Sequence, residues 1–251
     1  MKVYKYCSSG NDFVIFYSKK KEDRKEFAKK ICDRYSGIGA DGMIVILDNK
    51  DYDFEWDFYN CDGSKASMCG NGARAAAMFA VQILNKNKNL SFMSGAGEIK
   101  AKVFDNNEVE ILLSKAKDIK EDFSFEGKIW QGVDTGVPHL VHFCEDLSSF
   151  DLKLCKKVRD KYNANVNFAK IINKNFMQVR TFERGVENET LACGTGMAAS
   201  FYLARLKNLV DDEITVSPKS GEKLSLRLDD EKNIYFKGMV RFCFEADYNI
   251  S

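Results

Sequence analysis

A short motif occurs twice in this chain, half a chain length apart, and it is the feature that most limits the possible folds. The first copy is Cys69-Gly70-Asn71-Gly72 and the second is Cys193-Gly194-Thr195-Gly196. The two cysteines are 124 residues apart in a chain of 251 residues. A strand-like segment and a loop precede each copy, and a helix-like apolar segment follows it. The repeat therefore predicts two similar domains, each with a helix that starts at its cysteine.

The segments that follow the two cysteines are unusually apolar. Residues 75–84 and 194–204 contain no charged side chain. A helix without a polar face is buried rather than laid on a surface. We therefore expect each domain to wrap its strands around one central helix, with both helix starts directed toward the interface between the domains. Nine residues before each cysteine a polar group ends the preceding strand, Asn60 in one copy and Arg184 in the other.

The order of elements along the chain predicts an α+β protein rather than a regular alternation of strand and helix. Many short strands are predicted, and helical periodicity is confined to about 24–35, 70–84, 151–161 and 194–208. We predict an N-terminal domain over 1–115, completed by the C-terminal strand at about 239–251, and a C-terminal domain over 116–238. Each is expected to be a barrel-like sheet around its central helix, with the active site in the cleft between the two.

The composition argues against several classes of partner. The formal net charge is +1, which favours neither a nucleic acid nor an anionic membrane. No apolar run reaches the roughly 18 residues that span a bilayer, and the N-terminus lacks the pattern of a secretory signal. The eight cysteines show no CxxC spacing, so no metal site is expected. We predict a cytoplasmic protein whose partner is a small molecule.

The start of a helix gives a cysteine special chemistry. Its unpaired N–H groups and partial positive charge bind anions and stabilise a thiolate, which lowers the pKa of the thiol. Glycines after the cysteine allow the backbone to approach a ligand closely. Two such sites in one chain predict a pair of thiols on either side of a small anionic substrate.

Inversion of an α-carbon needs such a pair. One base removes the proton from one face of the carbon, and one acid delivers a proton to the opposite face. The carbanion between them places charge on the α-carboxylate, which backbone N–H groups of both helix starts can stabilise. The residues alone therefore favour a cofactor-independent amino-acid epimerase with Cys69 and Cys193 as its acid–base pair.

Other interpretations of the motif fit less well. Each copy matches a loose dinucleotide fingerprint, but no acidic residue near position 90 would bind a ribose. Neither copy has the Lys-Ser/Thr of a phosphate-binding loop. A cysteine protease would need one nucleophile with a histidine, and it would leave the second copy unexplained. Either copy alone could also be only a tight, well-packed turn.

Several segments resemble the diaminopimelate epimerase family, and the resemblance covers nearly the whole chain. The motif around Cys69 is the most specific of these segments, and all of them occur in the order that the family has. The segments are SSGNDF at 8–13, GIGADG at 37–42, NCDGSKASMCGNGAR at 60–74, PHLVHF at 138–143, NANVNF at 163–168 and RTFERGVENETLACGTGMAA at 180–199.

The resemblance implies a reaction. That family interconverts LL- and meso-diaminopimelate in lysine and peptidoglycan precursor synthesis, without pyridoxal phosphate or a metal, and its members are commonly homodimers. Two pseudo-symmetric domains close over the substrate, and each supplies one cysteine. Carried over to this chain, Cys69 and Cys193 are the base and the acid, and no cofactor is expected.

The resemblance also implies roles for further residues. The substrate-binding residues that it implies are Asn11, Asn60, Gly70, Asn71, Asn165, Glu183, Arg184, Gly194 and Thr195. Arg184 suits the distal carboxylate because its planar group binds one bidentately, although it could instead be a surface charge. Asn60 and Asn165 could be turn residues. Glu183 either contacts the substrate amine or poises Cys193, and His139 is either an auxiliary residue of the site or a hydrogen-bonded loop histidine.

One departure from the family pattern bears on the substrate. The family's Gly-Asn-Pro-His is Gly136-Val137-Pro138-His139 here, so valine replaces a side-chain amide that contacts substrate. The leading hypothesis is therefore diaminopimelate epimerase activity, and the second is an epimerase or racemase of another amino acid. A third is an isomerase or binding protein of the same fold without the two-thiol chemistry.

Overall fold

The computed structural model describes residues 1–249, which form seventeen strands and four α-helices. The helices are α1 (Lys25–Cys32), α2 (Gly70–Gln82), α3 (Leu152–Tyr162) and α4 (Gly194–Leu206), with a single 3-10 turn at Leu147–Ser149. The strands are β1 (Lys2–Ser8), β2 (Asn11–Ser18), β3 (Gly42–Leu47), β4 (Phe54–Asn60), β5 (Asn89–Ser94), β6 (Gly97–Val103), β7 (Glu108–Leu112), β8 (Phe123–Phe125), β9 (Lys128–Asp134), β10 (Pro138–Phe143), β11 (Asn165–Asn173), β12 (Phe176–Glu183), β13 (Asn188–Thr190), β14 (Glu213–Ser217), β15 (Leu224–Leu228), β16 (Ile234–Met239) and β17 (Arg241–Asp247).

The chain divides into two compact units. Unit 1 is Met1–Ile111 together with the described residues from Gly238 onward, and unit 2 is Leu112–Lys237. Strands outnumber helices in both units, and parallel and antiparallel strand pairs occur together in each of them. The predicted α+β class is therefore confirmed.

Unit 1 is a mixed sheet packed around α2. Its strands pair in the order β17, β1, β2, β3, β4, β5, β6, β7. The pairs β2–β3 and β4–β5 are parallel, and the other ladders are antiparallel. Parallel neighbours need a crossover connection, and here α1 and α2 supply the two crossovers. The position of α2 in the chain thus follows from the sheet topology.

Unit 2 repeats this plan. The ladders β9–β10, β11–β12, β14–β15 and β15–β16 are antiparallel, whereas β10–β11 and β12–β14 are parallel. The helices α3 and α4 cross between the parallel pairs, as α1 and α2 do in unit 1. The short strand β8 pairs with the outer side of β9, just as β17 pairs with β1. Apart from β13, which pairs with β12 and has no strand counterpart in unit 1, the two units therefore share the same pattern of strand pairs.

The helices α2 and α4 form the centres of the two units, and both contain 13 residues. Residues 71–80 of α2 and 196–204 of α4 are all buried. Five alanines in the buried part of α2 keep the helix narrow, so that strands β1, β2, β3 and β6 can pack against it. A buried helix of this kind places its first turn inside the protein rather than in solvent.

Two local details differ from the sequence prediction. The helix predicted at 24–35 ends at Cys32, because Asp33 leaves the helix and its carboxylate accepts the backbone N–H groups of Tyr35 and Ser36. The strand before the first cysteine ends at Asn60, whereas the strand before the second ends at Glu183. The structural counterpart of Asn60 is therefore Glu183 rather than Arg184, since the second loop is one residue longer.

Among residues 1–249, no helix has the length and apolar character that would let it cross a lipid bilayer.

We expect Phe79→Ala to destabilise the protein strongly. The Phe79 ring is fully buried in α2 and packs edge-on against Tyr4 at 5.3 Å and Tyr6 at 6.2 Å. Loss of a buried phenylalanine ring costs about 3–5 kcal/mol in the free energy of unfolding. Urea unfolding followed by circular dichroism measures this change. Tyr35→Ala, at a fully exposed side chain, is the control, and an equal loss in both variants would contradict the central position of α2.

Candidate active site

Cys69 is the N-cap residue of α2. Its backbone is extended, with φ −148° and ψ 120°, and its sulfur accepts the backbone N–H of Gly72 at 3.4 Å. A hydrogen bond of this kind favours the charged form of the sulfur, as does the positive end of the helix. A β-carbon on Gly72 would lie 3.4 Å from Ile44 and 3.5 Å from Phe13, so the first turn of α2 packs on an apolar layer.

A chain of side-chain hydrogen bonds lies beside Cys69. The Asn71 amide donates to Asn11 Oδ1 at 2.7 Å and accepts from Arg74 Nη2 at 2.9 Å. The same Arg74 nitrogen donates to Ser9 Oγ at 2.6 Å. Both polar atoms of the Asn71 side chain are thus engaged, and the first turn of α2 is fixed to the start of β2. The structure brings two of the predicted site residues, Asn11 and Asn71, into direct contact.

Arg74 is a residue of this region that the sequence prediction missed. It is fully buried, which is rare for an arginine. The available signal was a single charged residue in a segment that is otherwise apolar for more than one turn. Its partner Ser9 is 65 residues earlier in the chain. A contact over that distance depends on the sheet topology and is not visible in a local pattern.

Asn60 is the last residue of β4. Its side chain donates to Ser64 Oγ at 2.9 Å, and its backbone N–H donates to the Ser64 carbonyl at 2.9 Å. These contacts close the turn that follows the strand. The structure thus gives Asn60 a turn contact, while Gly42 is its partner in the ladder with β3.

Cys193 is the N-cap residue of α4, and only 8% of it is exposed. Its sulfur does not cap the helix as the Cys69 sulfur does, but lies 3.5 Å from Thr195 Oγ1. The Glu183 carboxylate interacts with the Cys193 thiol and with Thr190. Burial raises the pKa of Glu183, and these two hydrogen bonds partly oppose the rise. Glu183 is therefore a hydrogen-bond partner of the Cys193 thiol.

His139 is buried behind Thr195. Its Nε2 lies 3.0 Å from Thr195 Oγ1, and its Nδ1 lies 3.1 Å from the Asn167 amide nitrogen. Burial, and in second place the charge of Arg184, lowers the pKa of His139 from 6.5 to about 3. The imidazole is therefore neutral at physiological pH and acts as a hydrogen-bonding group. Asn167 is a second residue that the sequence prediction missed.

Asn165 and Arg184 meet at the neighbouring strand ends. The Asn165 amide donates to the Pro138 carbonyl at 3.1 Å, and its oxygen accepts the backbone N–H of Arg184 at 2.9 Å. The Arg184 guanidinium donates to the Asn163 carbonyl at 3.0 Å. A guanidinium has five donors, so this contact leaves donors for a carboxylate.

Val137 has a structural counterpart in unit 1. Gly10 and Gly136 both have a positive φ, 82° and 114°, and the residues that follow them are Asn11 and Val137. Asn11 accepts the Asn71 amide, but the residue at the Asn71 position of unit 2 is Thr195, which contacts His139 instead. The asparagine pair of unit 1 is therefore not repeated in unit 2.

Within residues 1–249, no three or more His, Cys, Asp and Glu side chains come close enough together to hold a metal ion.

Solved structures with this fold include proteins with several different names. A phenazine biosynthesis protein of the PhzF family from Enterococcus faecalis aligns with a TM-score of 0.78 at 12% identity, covering 99% of both chains. A probable proline racemase from Agrobacterium radiobacter K84 aligns with a TM-score of 0.73 at 11% identity, covering 100% of this chain and 93% of the other. The chain therefore has the fold that these proteins share.

The sequence comparisons are more specific. The profile of the family described as diaminopimelate epimerase matches residues 3–118 and 132–243. A protein of Campylobacter lari named diaminopimelate epimerase is 62% identical over 251 residues, covering 100% of both chains. One of the same name from Helicobacter pylori is 44% identical, covering 96% of this chain and 94% of the other. The chain belongs to the diaminopimelate epimerase family and is an isomerase.

The buried His139 should make the stability of the protein depend on pH. Its pKa is 6.5 when exposed and about 3 when folded, so the unfolded chain binds more protons between these values. The free energy of unfolding then falls by up to about 1.4 kcal/mol for each pH unit lowered through this window. Urea unfolding at several pH values measures the slope for the protein and for His139→Gln.

His139→Gln should have a smaller slope than the unsubstituted protein over the same pH window, because glutamine does not titrate. His142→Gln is the matched control, since His142 is the other histidine of the protein and is only half-buried. The assignment of a buried neutral imidazole would be wrong if His139→Gln left the slope unchanged.

Proposed function

We propose that this chain interconverts LL- and meso-diaminopimelate by a two-base proton transfer between Cys69, Cys193 and the α-carbon. The reaction would serve lysine and peptidoglycan precursor synthesis. One observation carries the proposal: each of the two units, which have similar topology, has a cysteine at the N-cap of a buried 13-residue helix. The family membership supports the substrate, and the buried helix starts support the chemistry.

In the proposed reaction, one cysteine is a thiolate and the other a thiol. The thiolate takes the α-proton, so that a C–H bond breaks and an S–H bond forms. The thiol gives its proton to the opposite face of the carbon and becomes the thiolate. The product leaves with inverted configuration, and the two sulfurs have exchanged roles, so the reverse reaction needs no other groups.

The charge of the intermediate would be stabilised by the first turns of α2 and α4. Removal of the α-proton places negative charge on the α-carboxylate. We propose that the backbone N–H groups of Gly70, Asn71, Gly194 and Thr195 bind this carboxylate, since the first N–H groups of a helix have no partner inside the helix. Asn71 is suited to this role because its side chain is held by Asn11 and Arg74.

The remaining predicted residues would recognise the two ends of the substrate. We propose that Arg184 binds the distal carboxylate, and that Asn11, Asn60 and Asn165 bind amino and carboxyl groups. Glu183 has a different part, because its carboxylate interacts with the Cys193 thiol. We assign it to the proton balance of Cys193 rather than to substrate recognition alone.

Activity on another amino acid is the second candidate function. The observation that favours it is Val137, which stands where unit 1 has Asn11 and cannot hydrogen-bond through its side chain. A substrate without the distal amino and carboxyl groups would need fewer polar contacts. The relatives from Campylobacter lari and Helicobacter pylori, at 62% and 44% identity, are both named diaminopimelate epimerase, which supports the first candidate.

Replacement of either cysteine should abolish epimerisation. We expect Cys69→Ala and Cys193→Ala to lose about 10²- to 10⁴-fold in rate, because each removes a proton donor or acceptor. The interconversion of LL- and meso-diaminopimelate is followed by chiral chromatography. Cys61→Ala is the matched control, since Cys61 is exposed and lies after β4 rather than at a helix start. Full activity of either helix-start variant would remove the two-thiol mechanism.

The substrate assignment is tested by exchange in deuterated water. We expect LL-diaminopimelate to acquire deuterium at one α-carbon as it is epimerised, because the delivered proton comes from a thiol in exchange with solvent. Mass spectrometry of the product detects this change. Proline, glutamate and lysine serve as comparison substrates. Exchange of one of these in place of diaminopimelate would favour the second candidate function.

We also propose a homodimer, as the family resemblance implies. Sedimentation equilibrium of the purified chain should give about twice the 28.5 kDa mass of one copy. A mass of one copy at micromolar concentration would contradict this assembly without bearing on the chemistry.

A further inference from the structure

The layer beneath the first turn of α2 is apolar. Gly72 packs on Phe13 and Ile44, and Ile44 is paired across the β3–β4 ladder with Phe58. The Phe13 and Phe58 rings are in edge-on contact at 6.0 Å. All three side chains are buried. The start of α2 therefore rests on a purely hydrophobic support.

The same layer in unit 2 is polar. Asn167 is paired with Thr181 in the β11–β12 ladder, as Ile44 is with Phe58, and His139 has the strand position of Phe13. A β-carbon on Gly196 would lie 2.3 Å from Asn167 Oδ1 and 2.9 Å from Thr181 Oγ1. The start of α4 thus rests directly on these polar groups.

Packing alone does not require polar residues in this layer. Asn167, Thr181 and His139 are at most 3% exposed, and buried polar groups lower stability unless each finds its partners. Unit 1 shows that three apolar side chains fill the same positions. The polar set in unit 2 therefore calls for an explanation in terms of hydrogen-bond direction.

The direction of each proton follows from the partners. Asn167 has one atom 3.0 Å from the Leu140 carbonyl oxygen, which can only accept, so this atom is the amide nitrogen Nδ2. The Thr181 hydroxyl donates to the other amide atom, Oδ1, at 2.9 Å. The second proton on Nδ2 points to His139 Nδ1 at 3.1 Å. His139 Nδ1 therefore accepts, and the proton of the neutral imidazole is on Nε2.

The series of hydrogen bonds continues to the sulfur of Cys193. His139 Nε2–H donates to Thr195 Oγ1 at 3.0 Å, so this lone pair of the hydroxyl is used. Thr195 Oγ1 lies 3.5 Å from Cys193 Sγ, and because the Cys193 thiol already interacts with the Glu183 carboxylate, we take the Thr195 hydroxyl as the donor to the sulfur. Each group in the chain thus presents a donor to the next, and the last donor faces the sulfur. Donation to a sulfur favours its thiolate form.

We propose that Asn167, itself oriented by Thr181, is a positioning residue that fixes the His139 tautomer and so makes Thr195 a hydrogen-bond donor to Cys193. The inference rests on the proposed function in taking Cys193 as a reacting group. If the amide were absent, His139 could carry its proton on Nδ1 and accept from Thr195, which would turn the hydroxyl proton away from the sulfur.

Other charged groups near Cys193 do not replace this series of hydrogen bonds. Glu183, on β12, interacts with the Cys193 thiol as a hydrogen-bond acceptor, whereas Thr195 acts as a donor that stabilises negative charge on the sulfur. Arg184 acts on His139, and its positive charge helps to keep the imidazole neutral. A neutral imidazole contributes a fixed dipole, so the chain polarises the thiol without adding a second titrating charge beside it.

The proposal is tested on the thiol itself, independently of epimerisation. The full-length protein is treated with iodoacetamide over a range of pH, and the Cys193 and Cys69 peptides are quantified by mass spectrometry. We expect Asn167→Leu and Thr195→Val to move the pH midpoint of Cys193 alkylation upward and to slow alkylation about tenfold at pH 7. The Cys69 peptide from the same digest should keep its midpoint.

Matched variants separate positioning from packing. Thr195→Ser keeps the hydroxyl and should restore the Cys193 midpoint. Phe168→Leu changes a fully buried neighbour on β11 without touching the hydrogen-bonded chain, and should leave the midpoint unchanged. If Asn167→Leu does not fold, Thr181→Val, which only releases the amide orientation, takes its place and should shift the midpoint in the same direction.

A double variant decides whether Asn167 acts through Thr195. Asn167→Leu should have no further effect on the Cys193 midpoint in a protein that already carries Thr195→Val. Independent effects that multiply, or an unchanged midpoint in Asn167→Leu, would overturn the proposal. Failure of deuterium exchange with diaminopimelate would overturn the proposed function instead, because alkylation of Cys193 does not depend on the substrate.

Discussion

The unpaired N–H groups at the first turn of a buried helix are the constraint on which the rest of this structure depends. A helix start needs acceptors for these groups, and inside a protein it cannot take them all from water. Cys69 meets this need in part, since its sulfur accepts the Gly72 N–H. Glycines at the next positions keep the turn close to the strands below it. The sheet topology places one such helix in each unit, because both are crossovers between parallel strands.

The two helix starts have similar backbones but pack on different side chains. The α2 start rests on Phe13, Ile44 and Phe58, and its polar contacts run sideways from Asn71 to Arg74. The α4 start rests on polar side chains whose hydrogen bonds lead to the second sulfur. Equal topology with unequal chemistry suits two thiols that do not have identical environments. The pseudo-symmetry of the fold thus ends at the level of the side chains that surround each sulfur.

Much of the fold was predictable from local patterns, because glycine-rich helix starts and alternating strands are local signals. The start of both central helices and the fold class are confirmed. Arg74 and Asn167 were not predictable, since their roles depend on partners brought close by the sheet, Ser9 for the one and His139 for the other. In the sequence, Asn167 also looks like an ordinary polar residue of an alternating strand. The match of Asn60 with Arg184 was wrong because loop lengths between strand and helix differ by one residue.

The return of the chain from unit 2 to unit 1 has a consequence for synthesis. Strand β17 pairs with β1, so the first and the last strands of the protein are neighbours. All of unit 2 leaves the ribosome before β17 does, whereas the first seven strands of unit 1 emerge earliest and wait with the outer side of β1 uncovered. An exposed strand side of this kind is a place where nascent chains pair wrongly. During translation, unit 2 is therefore complete before unit 1, although most of unit 1 is synthesised first.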